Sequence, residues 1–198
     1  MKRFLAIFLA LLLTGCGDKN SGLTPEFKKF LSTRDLEKPT VTQESLDGYR
    51  FELKAGRLEI YNGTLEVWRS KDEWYIDSFE LGDINADEIT DFVFILWKSF
   101  SFGAKHPARM TNDDASVRCH VFVYSVKDNR VKSIWASSNL PRPIYSFELN
   151  MDGEVTPTLS GARLIAQEGL YYTEDFSKTE TVEYTYAWSG WGFAPAED

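Results

Sequence analysis

From Tyr49 onward, the chain is a succession of short runs of aromatic and β-branched residues, each closed by a turn signal. The runs include YRFELK, RLEIY, TLEVW, CHVFVYSV and TVEYTYAW. Lys54-Ala55-Gly56, Asn62-Gly63 and Lys127-Asp128-Asn129 separate neighbouring runs at hairpin length. Short apolar runs with this spacing are typical of antiparallel strands. The sequence therefore predicts a mostly β domain over residues 48–198.

Two further features indicate how the strands are arranged. Residues 92–97 (FVFILW) are apolar at every position, which predicts an inner strand buried on both faces. SFEL occurs at 78–81 and again at 146–149, each time after a pair of aromatic-rich runs. We expect modules of a hairpin, a polar turn and an inner strand, which stack because none buries its apolar face alone. A closed propeller needs at least about four blades, so the prediction is a partial propeller or packed sandwich of propeller-blade-like antiparallel modules.

The N-terminus carries a targeting signal. A short basic segment, MKR, precedes ten apolar residues at 4–13. Ten residues are too few to span a bilayer, which needs about 20, but they suit the apolar region of a signal peptide. Leu13-Thr14-Gly15-Cys16 follows and resembles the bacterial lipobox. The resemblance implies removal of signal peptide 1–15, diacylglycerol on the Cys16 sulfur and acylation of its amine. The alternative is an ordinary secretory signal with a chance cysteine.

The lipid predicts where the protein resides. Several acyl chains give stable anchoring, since each buried CH₂ contributes about 0.8 kcal/mol. Gly17 after the cysteine resembles the signal for export to the outer membrane, facing the periplasm, in bacteria with two membranes. In a bacterium with one membrane, the protein would lie on the extracytoplasmic face of the cell membrane. The formal net charge is −8, and −10 once Lys2 and Arg3 are removed, so we expect no nucleic-acid partner and repulsion from anionic headgroups.

Residues 16–47 are mostly polar and are predicted to be a lipidated tether with one short helix. Thr24 and Pro25 suit the N-cap and the first helical position. Phe27, Phe30 and Leu31 would share one helical face. The helix should end near residues 32–34, and it either docks on the domain or serves as a spacer.

An acidic stretch stands directly before the inner strand, in LGDINADEITDFVFILW at 81–97. Asp83, Asn85 and Asp87 alternate, Ile89 would offer its carbonyl, and Asp91 completes the set. Calcium takes six to eight oxygens at about 2.3–2.6 Å, which suits such a tight loop. Two interpretations stay open: a calcium site in the weak extracellular range of about 10⁻⁴–10⁻³ M, or side-chain turns before a strand without metal.

The loop resembles the calcium loop of FG-GAP and VCBS-type repeats, which build integrin-like β-propellers. Their pattern is D-x-[DN]-x-D-G-x-x-D followed by an apolar strand. Together with WKSFSFGAKHP, CHVFVYS, IWASSNLPRPI and WSGWGF, it resembles a group of uncharacterised bacterial extracytoplasmic proteins over most of residues 64–193. The resemblance implies β-repeats and a Ca²⁺ cofactor but no activity. Glu88 departs from the usual glycine, Phe94 stands where a bidentate Glu would, and the second copy, ELNMDGEVTPTLSG, has lost the acidic spacing.

Other candidate residues carry weaker signals. His120 adjoins Cys119, so on a strand the two side chains point to opposite faces, which is poor geometry for a catalytic dyad. His106 lies in a long loop at 99–117. No nucleophile elbow, P-loop or dinucleotide fingerprint is present. Core packing is expected for four tryptophans (Trp68, Trp97, Trp135 and Trp188), whereas Trp191 in the turn SGWGF could serve packing or binding.

Two function classes follow from these patterns. The favoured hypothesis is an envelope lipoprotein whose β-repeat domain is non-catalytic and serves binding or structure, with an envelope protein or glycan as partner. Its support is the predicted anchor, the repeat modules and the lack of a catalytic constellation. The alternative is a hydrolase of envelope polysaccharide that uses paired carboxylates near the 99–117 loop.

Overall fold

A computed structural model describes residues 23–34, 36–45, 47–99, 116–151, 157–165 and 180–196. These residues form one helix, α1 (Pro25–Leu31), and three four-stranded antiparallel sheets, each a meander in chain order. The first sheet contains β1 (Val41–Glu44), β2 (Tyr49–Lys54), β3 (Arg57–Asn62) and β4 (Leu65–Arg69). The second contains β5 (Tyr75–Gly82), β6 (Thr90–Ser99), β7 (Val117–Lys127) and β8 (Arg130–Ala136). The third contains β9 (Ile144–Asn150), β10 (Thr158–Ile165), β11 (Thr181–Trp188) and β12 (Phe193–Pro195). The predicted mostly β fold of blade-like antiparallel modules is confirmed.

The predicted hairpin turns are confirmed as well. Ala55 and Gly56 have φ values of 50° and 76° between β2 and β3. Asp128 and Asn129 have φ values of 51° and 58° between β7 and β8. Two consecutive positive φ values are typical of type I′ turns, whose twist matches the flanking strands. A Cβ on Gly56 would clash with the ring of Tyr75, so a close approach to the second sheet also requires glycine here.

The second sheet lies between the other two, and its strand β6 is buried on both faces. Side chains alternate along a strand, so one face of β6 is directed toward the first sheet and the other toward the third. The residues of the first face are Phe92, Phe94 and Leu96, and those of the second are Val93, Ile95 and Trp97. All six are at most 1% exposed, which confirms the predicted inner strand.

An aromatic core fills the space between the first and second sheets. Its buried members are Tyr49, Phe51, Leu53, Leu58, Ile60, Ile76, Phe79, Phe92, Phe94, Leu96, Phe122 and Val126. The rings of Phe51 and Phe92 meet edge to face with centroids 5.2 Å apart, as do those of Phe94 and Tyr124. Each such pair is worth about 0.5–1.5 kcal/mol beyond the burial of its surface.

A second core, here called the helix core, joins the second sheet to α1 and the third sheet. The members from α1 and the third sheet are Phe27, Phe30, Ile144, Phe147 and Trp188. Thr24 caps α1, since its Oγ1 accepts a hydrogen bond from the Phe27 N–H at 3.2 Å. Phe27 and Phe30, three residues apart and therefore on one helical face, are 2% and 0% exposed. The predicted helix is confirmed, and it docks on the domain.

The structure also changes the predicted organisation in two places. The SFEL copies lie in β5 and β9, the first strands of the second and third sheets. The runs around the first copy do not form a hairpin, because β4 pairs with β3 while β5 begins a new sheet. Strand β1, within the predicted tether 16–47, pairs with β2. Its sequence, VTQE, has too little apolar alternation to predict a strand by itself.

Candidate functional site

The predicted cation loop joins β5 to β6 at one end of the second sheet. Strand β5 ends at Gly82, and β6 begins at Thr90. Gly82 pairs with Asp91 across the two strands. The strand pairing therefore closes residues 83–91 into a loop and places Asp91 within the hydrogen-bonded strand β6.

Backbone N–H groups hold the carboxylates of this loop. The two carboxylate oxygens of Asp83 accept from the N–H of Asp87 at 3.0 Å and of Glu88 at 2.8 Å. Oδ1 of Asp87 accepts from the Ile89 N–H at 3.0 Å, while Asn85 Nδ2 donates to its Oδ2 at 3.1 Å. The Asp87 N–H is shared with Asn85 Oδ1 at 3.2 Å. These contacts are the local side-chain turns that Asp and Asn favour, and they offset the repulsion between the acids.

Asp91 differs from the other acids of the loop because it is fully buried. Its Oδ2 accepts a hydrogen bond from the Ile84 N–H at 3.0 Å, and its Oδ1 has no hydrogen-bond partner. Burial raises the pKa of this carboxyl to about 7; the Ile84 N–H opposes the shift, and the carboxylates of Asp87 and Asp83 add to it. A buried acceptor without a partner costs free energy, so Oδ1 is the atom of the loop that a ligand would satisfy.

The backbone of the loop adopts the conformation that its sequence disfavours. Ala86 and Glu88 have φ values of 57° and 61°, in the left-handed region. Glu88 occupies the position where the resembling repeats carry glycine, and a residue with a Cβ pays about 1–2 kcal/mol there. The sharp turn therefore forms despite the departure from glycine, because the sheet fixes both ends of the loop.

The donor chemistry of the loop suits a hard cation. Asp83, Asp87 and Asp91 provide carboxylates, Asn85 provides an amide oxygen, and the chain offers the Ile89 carbonyl. Among the described residues, no three His, Cys, Asp or Glu side chains are gathered so that they could hold a metal ion. Among the side-chain oxygens of Asp83, Asn85, Asp87 and Asp91, Asp91 Oδ1 is the one without a hydrogen-bond partner.

Sequence analysis missed two acids beside the loop. A cavity of about 430 Å³ is lined by Glu44 and Asp47 together with Asp83 and Glu88. Thr90 Oγ1 donates to Asp47 Oδ2 at 2.7 Å, which ties the loop to the connection between β1 and β2. Glu44 and Asp47 come from a different sheet, and no spacing signal in the sequence relates them to the loop.

A pair of glutamates lies where the first strands of the sheets approach one another. Glu80 and Glu148 occupy the same position in the two SFEL copies. Burial raises the pKa of Glu80, the nearby Glu148 carboxylate raises it further, and a hydrogen bond with Gln43 opposes the shift. Gln43 lies in β1, and its Nε2 also donates a hydrogen bond to the Phe79 carbonyl oxygen of β5 at 3.4 Å. The repeat therefore brings two carboxyl groups together, which its sequence alone did not indicate.

Polar groups are also enclosed under α1. The Arg34 guanidinium lies 4.3 Å from the ring centroid of Phe30 and 5.0 Å from that of Trp97. The Trp97 indole N–H donates to Asp77. Burial raises the pKa of Asp77, and the positive charge of Arg34 opposes that shift. Arg34 therefore covers the helix core: its guanidinium stacks on the rings of Phe30 and Trp97, and its positive charge offsets the negative charge of Asp77.

Cys119 and His120 do not form a catalytic pair. Cys119 lies in the helix core, and burial raises its pKa to about 12, which keeps the thiol protonated. The His120 ring lies on the opposite face, edge to face with Phe122 at 5.7 Å. His120 is 2% exposed, so burial lowers its pKa to about 4; Lys98 contributes to the shift, and the Ser137 carbonyl opposes it. The predicted opposite orientation is confirmed, and the histidine is a neutral core residue.

Five tryptophans pack on the cores, and the sixth projects into solvent. Trp97 and Trp188 are buried, and the others that pack are Trp68, Trp74 and Trp135. Trp191 is 76% exposed in the turn between β11 and β12. That turn is held by Ser189, whose N–H and hydroxyl bond to the Gly192 carbonyl at 2.9 and 2.8 Å. A Cβ on Gly192 would clash with the Trp135 indole, so the turn that displays Trp191 is fixed against the core.

Several predicted features lie outside the described residues. They include the lipobox with Cys16, most of the 99–117 loop with His106, and part of the degenerate second copy of the acidic loop. Within the described parts of the chain, no helix is both long enough and apolar enough to cross a bilayer.

Comparison with known proteins adds no relative. No family model matches the chain, and no curated protein or solved structure is significantly similar to it.

Proposed function

We propose that this chain is a membrane-anchored envelope lipoprotein whose β-repeat domain is non-catalytic, serves binding or structure, and is stabilised by calcium. The basic segment, the apolar run and the LTGC motif support the anchor at Cys16. The domain would face the periplasm from the outer membrane of a two-membrane bacterium, or the outside of a one-membrane cell. Its partner would be an envelope protein or glycan.

The observation that carries the binding function is Trp191. An indole that is 76% exposed on a turn fixed to the core costs little entropy when a partner covers it. Tryptophan is among the residues that dominate interface energies, because it offers a large apolar surface with one polar atom. A partner that stacks on Trp191 would therefore gain from a surface that is already ordered.

Calcium would have a structural role in this proposal. Asp83, Asn85, Asp87 and Asp91 would hold the ion with the Ile89 carbonyl, and the ion would neutralise charge at the entry to β6. Its affinity would be weak, with Kd of about 10⁻⁴–10⁻³ M, since Glu88 replaces the turn glycine and no bidentate Glu follows. The unpartnered oxygen of Asp91 supports this role.

The anchor is tested by metabolic labelling with a palmitate analogue. The wild-type chain should be labelled, and Cys16→Ser should lose the label and leave the membrane fraction. Cys119→Ser is the matched control, because the other cysteine is buried and should not affect labelling. Unchanged labelling of Cys16→Ser would refute the anchor.

The binding function is tested by crosslinking in isolated membranes followed by capture of the tagged protein. Trp191→Ala should lose the crosslinked partner. Leu65→Ala is the control, since Leu65 is also apolar and 57% exposed but lies in the first sheet. Equal capture by both variants would show that Trp191 does not contact the partner.

One observation favours the alternative, a polysaccharide hydrolase. Glu80 in β5 has a raised pKa beside the Glu148 carboxylate in β9, and glycoside hydrolysis uses a pair of carboxyl groups of which one has a raised pKa. This pair differs from the carboxylates near the 99–117 loop that the sequence suggested, since most of that loop lies outside the described residues. In that case purified peptidoglycan should be cleaved by the wild type and not by Glu80→Gln. Absence of cleavage by the wild type would reject this candidate.

A further inference from the structure

The two ends of the second sheet differ in what they carry. One end, here called the anchor pole, holds Tyr75, Ser99 and Val117, and the turn at Ala55-Gly56 packs against Tyr75. The other, the acidic pole, holds the loop 83–91 and the turn at 128–129. Asn129 donates its N–H to the Tyr49 hydroxyl at 3.0 Å, so the same end of the first sheet lies there. The two poles therefore extend across both sheets.

The N-terminal chain leaves the domain at the anchor pole. Thr24 Oγ1 lies 3.4 Å from Ser99 Oγ at the last residue of β6. Phe30 of α1 fixes this position, because its ring is 5.1 Å from that of Trp97 and 5.7 Å from that of Tyr75. The segment that leads toward Cys16 therefore starts beside the end of β6 that is remote from the acidic loop.

Basic side chains are concentrated at the anchor pole. They are Lys28, Lys29, Lys54, Lys71, Lys98 and Arg118, and the acids near them are Glu26, Asp72 and Glu73, with Asp72 paired to Arg57. Lys98 and Arg118 stand directly opposite each other on β6 and β7.

Acidic side chains are concentrated at the other pole. They are Glu44, Asp47, Asp83, Asp87, Glu88 and Asp128, and the nearby bases are Lys127 and Arg130. The six acids and two bases named at the acidic pole sum to −4, whereas the residues named at the anchor pole have more bases than acids. The charges of these described residues are therefore unevenly distributed along the second sheet, and the anchor pole does not share the repulsion from anionic headgroups expected from the total charge.

We propose that the anchor pole rests on anionic phospholipid headgroups and that the acidic pole points away from the membrane. This inference rests on the proposed function, since it takes Cys16 as the membrane attachment. Seven residues from Cys16 to Leu23 span at most about 25 Å when fully extended, whereas the ten residues of β6 span about 30 Å. The short attachment and the attraction of lysines to an anionic surface both favour this orientation.

The orientation is tested on vesicles to which the mature chain is coupled through Cys16 by a maleimide lipid. Coupling removes any dependence on cellular acylation, and the buried Cys119 should not react. An azide-bearing amino acid replaces Ala55 at the anchor pole or Thr64 in the β3–β4 turn at the other end of the first sheet, and a dye is attached there. Energy transfer to an acceptor in the bilayer then reports which pole is nearer.

With phosphatidylglycerol in the vesicles, transfer should be higher from position 55 than from position 64. Salt at 0.5 M should reduce the difference, because it shortens the Debye length. The triple variant Lys28→Gln/Lys29→Gln/Lys71→Gln should also reduce the difference in energy transfer. Each lysine that reaches the surface should change the ratio of the two orientations by about fivefold. The control Lys127→Gln/Arg130→Gln/Lys132→Gln removes the same number of positive charges away from the anchor pole and should leave the difference in energy transfer unchanged.

Equal transfer from the two positions, or a difference that the anchor-pole lysines do not affect, would overturn the proposal. Failure of palmitate labelling in cells would instead refute the anchor alone, because the vesicle experiment supplies its own attachment. The two failures are therefore distinguishable.

Discussion

The two faces of the second sheet are buried in different ways. The aromatic core is covered by a sheet formed from the residues just before it in the chain, and its rings pack edge to face. The helix core is covered by two remote parts of the chain, α1 and the third sheet, and its sheet face is mainly valine and isoleucine. It also encloses an arginine and an aspartate.

This difference indicates which core contributes more to the free energy of unfolding and which core holds α1 on the domain. A face of interlocking rings contributes through apolar burial and ring geometry, with few polar groups to satisfy. The helix core must satisfy Asp77 and Arg34 as well as bury Phe30, and charges enclosed in this way add little net stability. We therefore expect the two cores to respond differently to matched substitutions.

The largest effect is expected from Phe94→Ala in the aromatic core. Phe94 is fully buried and contacts the rings of Phe92, Phe122 and Tyr124. Loss of its ring should lower the free energy of unfolding by about 4 kcal/mol, measured by denaturant unfolding. Phe94→Leu is the control and should cost much less. A loss below about 1 kcal/mol for the alanine variant would mean that the aromatic core is not packed as described.

A smaller and more local effect is expected from Phe30→Ala in the helix core. The substitution should cost about 3 kcal/mol and release α1, since Phe30 is the residue that joins it to Trp97 and Tyr75. Limited proteolysis should then cut within residues 23–34 while the sheets stay resistant. Lys28→Ala, on the exposed side of α1, should not increase cleavage. Cleavage throughout the sheets would contradict the separation of the two cores.

The pH dependence of stability should identify the buried histidine. The pKa of His120 is lowered to about 4 in the folded protein, from about 6.5 when unfolded. The unfolded chain therefore binds the proton first, and stability falls as pH drops from about 6.5 toward 4, by about 3 kcal/mol. The free energy of unfolding of the wild type minus that of His120→Gln, measured at each pH, separates the contribution of His120 from that of the acids. An unfolding free-energy difference that does not change with pH would contradict it.

The smallest effect is expected at the loop that leads into the shared strand β6. Calcium at 5 mM should stabilise the wild type by about 1–2 kcal/mol if Kd is about 10⁻⁴–10⁻³ M, which raises the melting temperature by a few degrees. Asp87→Ala should abolish the shift. Asp128→Ala removes an acid from the same pole outside the loop and should retain it. A wild-type melting curve that calcium does not change would leave the loop as a set of side-chain turns.

The elements that sequence patterns predicted share a local cause. Thr24 and Pro25 favour the start of a helix through capping and a preset φ, and the paired positive φ values at Asp128-Asn129 follow from turn chemistry. Residues 92–97 are apolar at every position, and this pattern also predicted that the strand is buried. Strand β1 and the separation of β4 from β5 were not predicted, because their pairing depends on which surface each strand covers. The same holds for Glu44 and Asp47, which only the stacking of two sheets brings beside the acidic loop.

The sequence by itself determined the fold class, the helix and the hairpin turns, and it supplied a loop of alternating acids, because each depends on neighbours within a few residues. Tertiary structure decided which polar groups meet. It placed Asp91 in full burial, set Glu80 beside Glu148 and enclosed Arg34 with Asp77. Such contacts join residues far apart in the chain, so they arise only when the sheets pack.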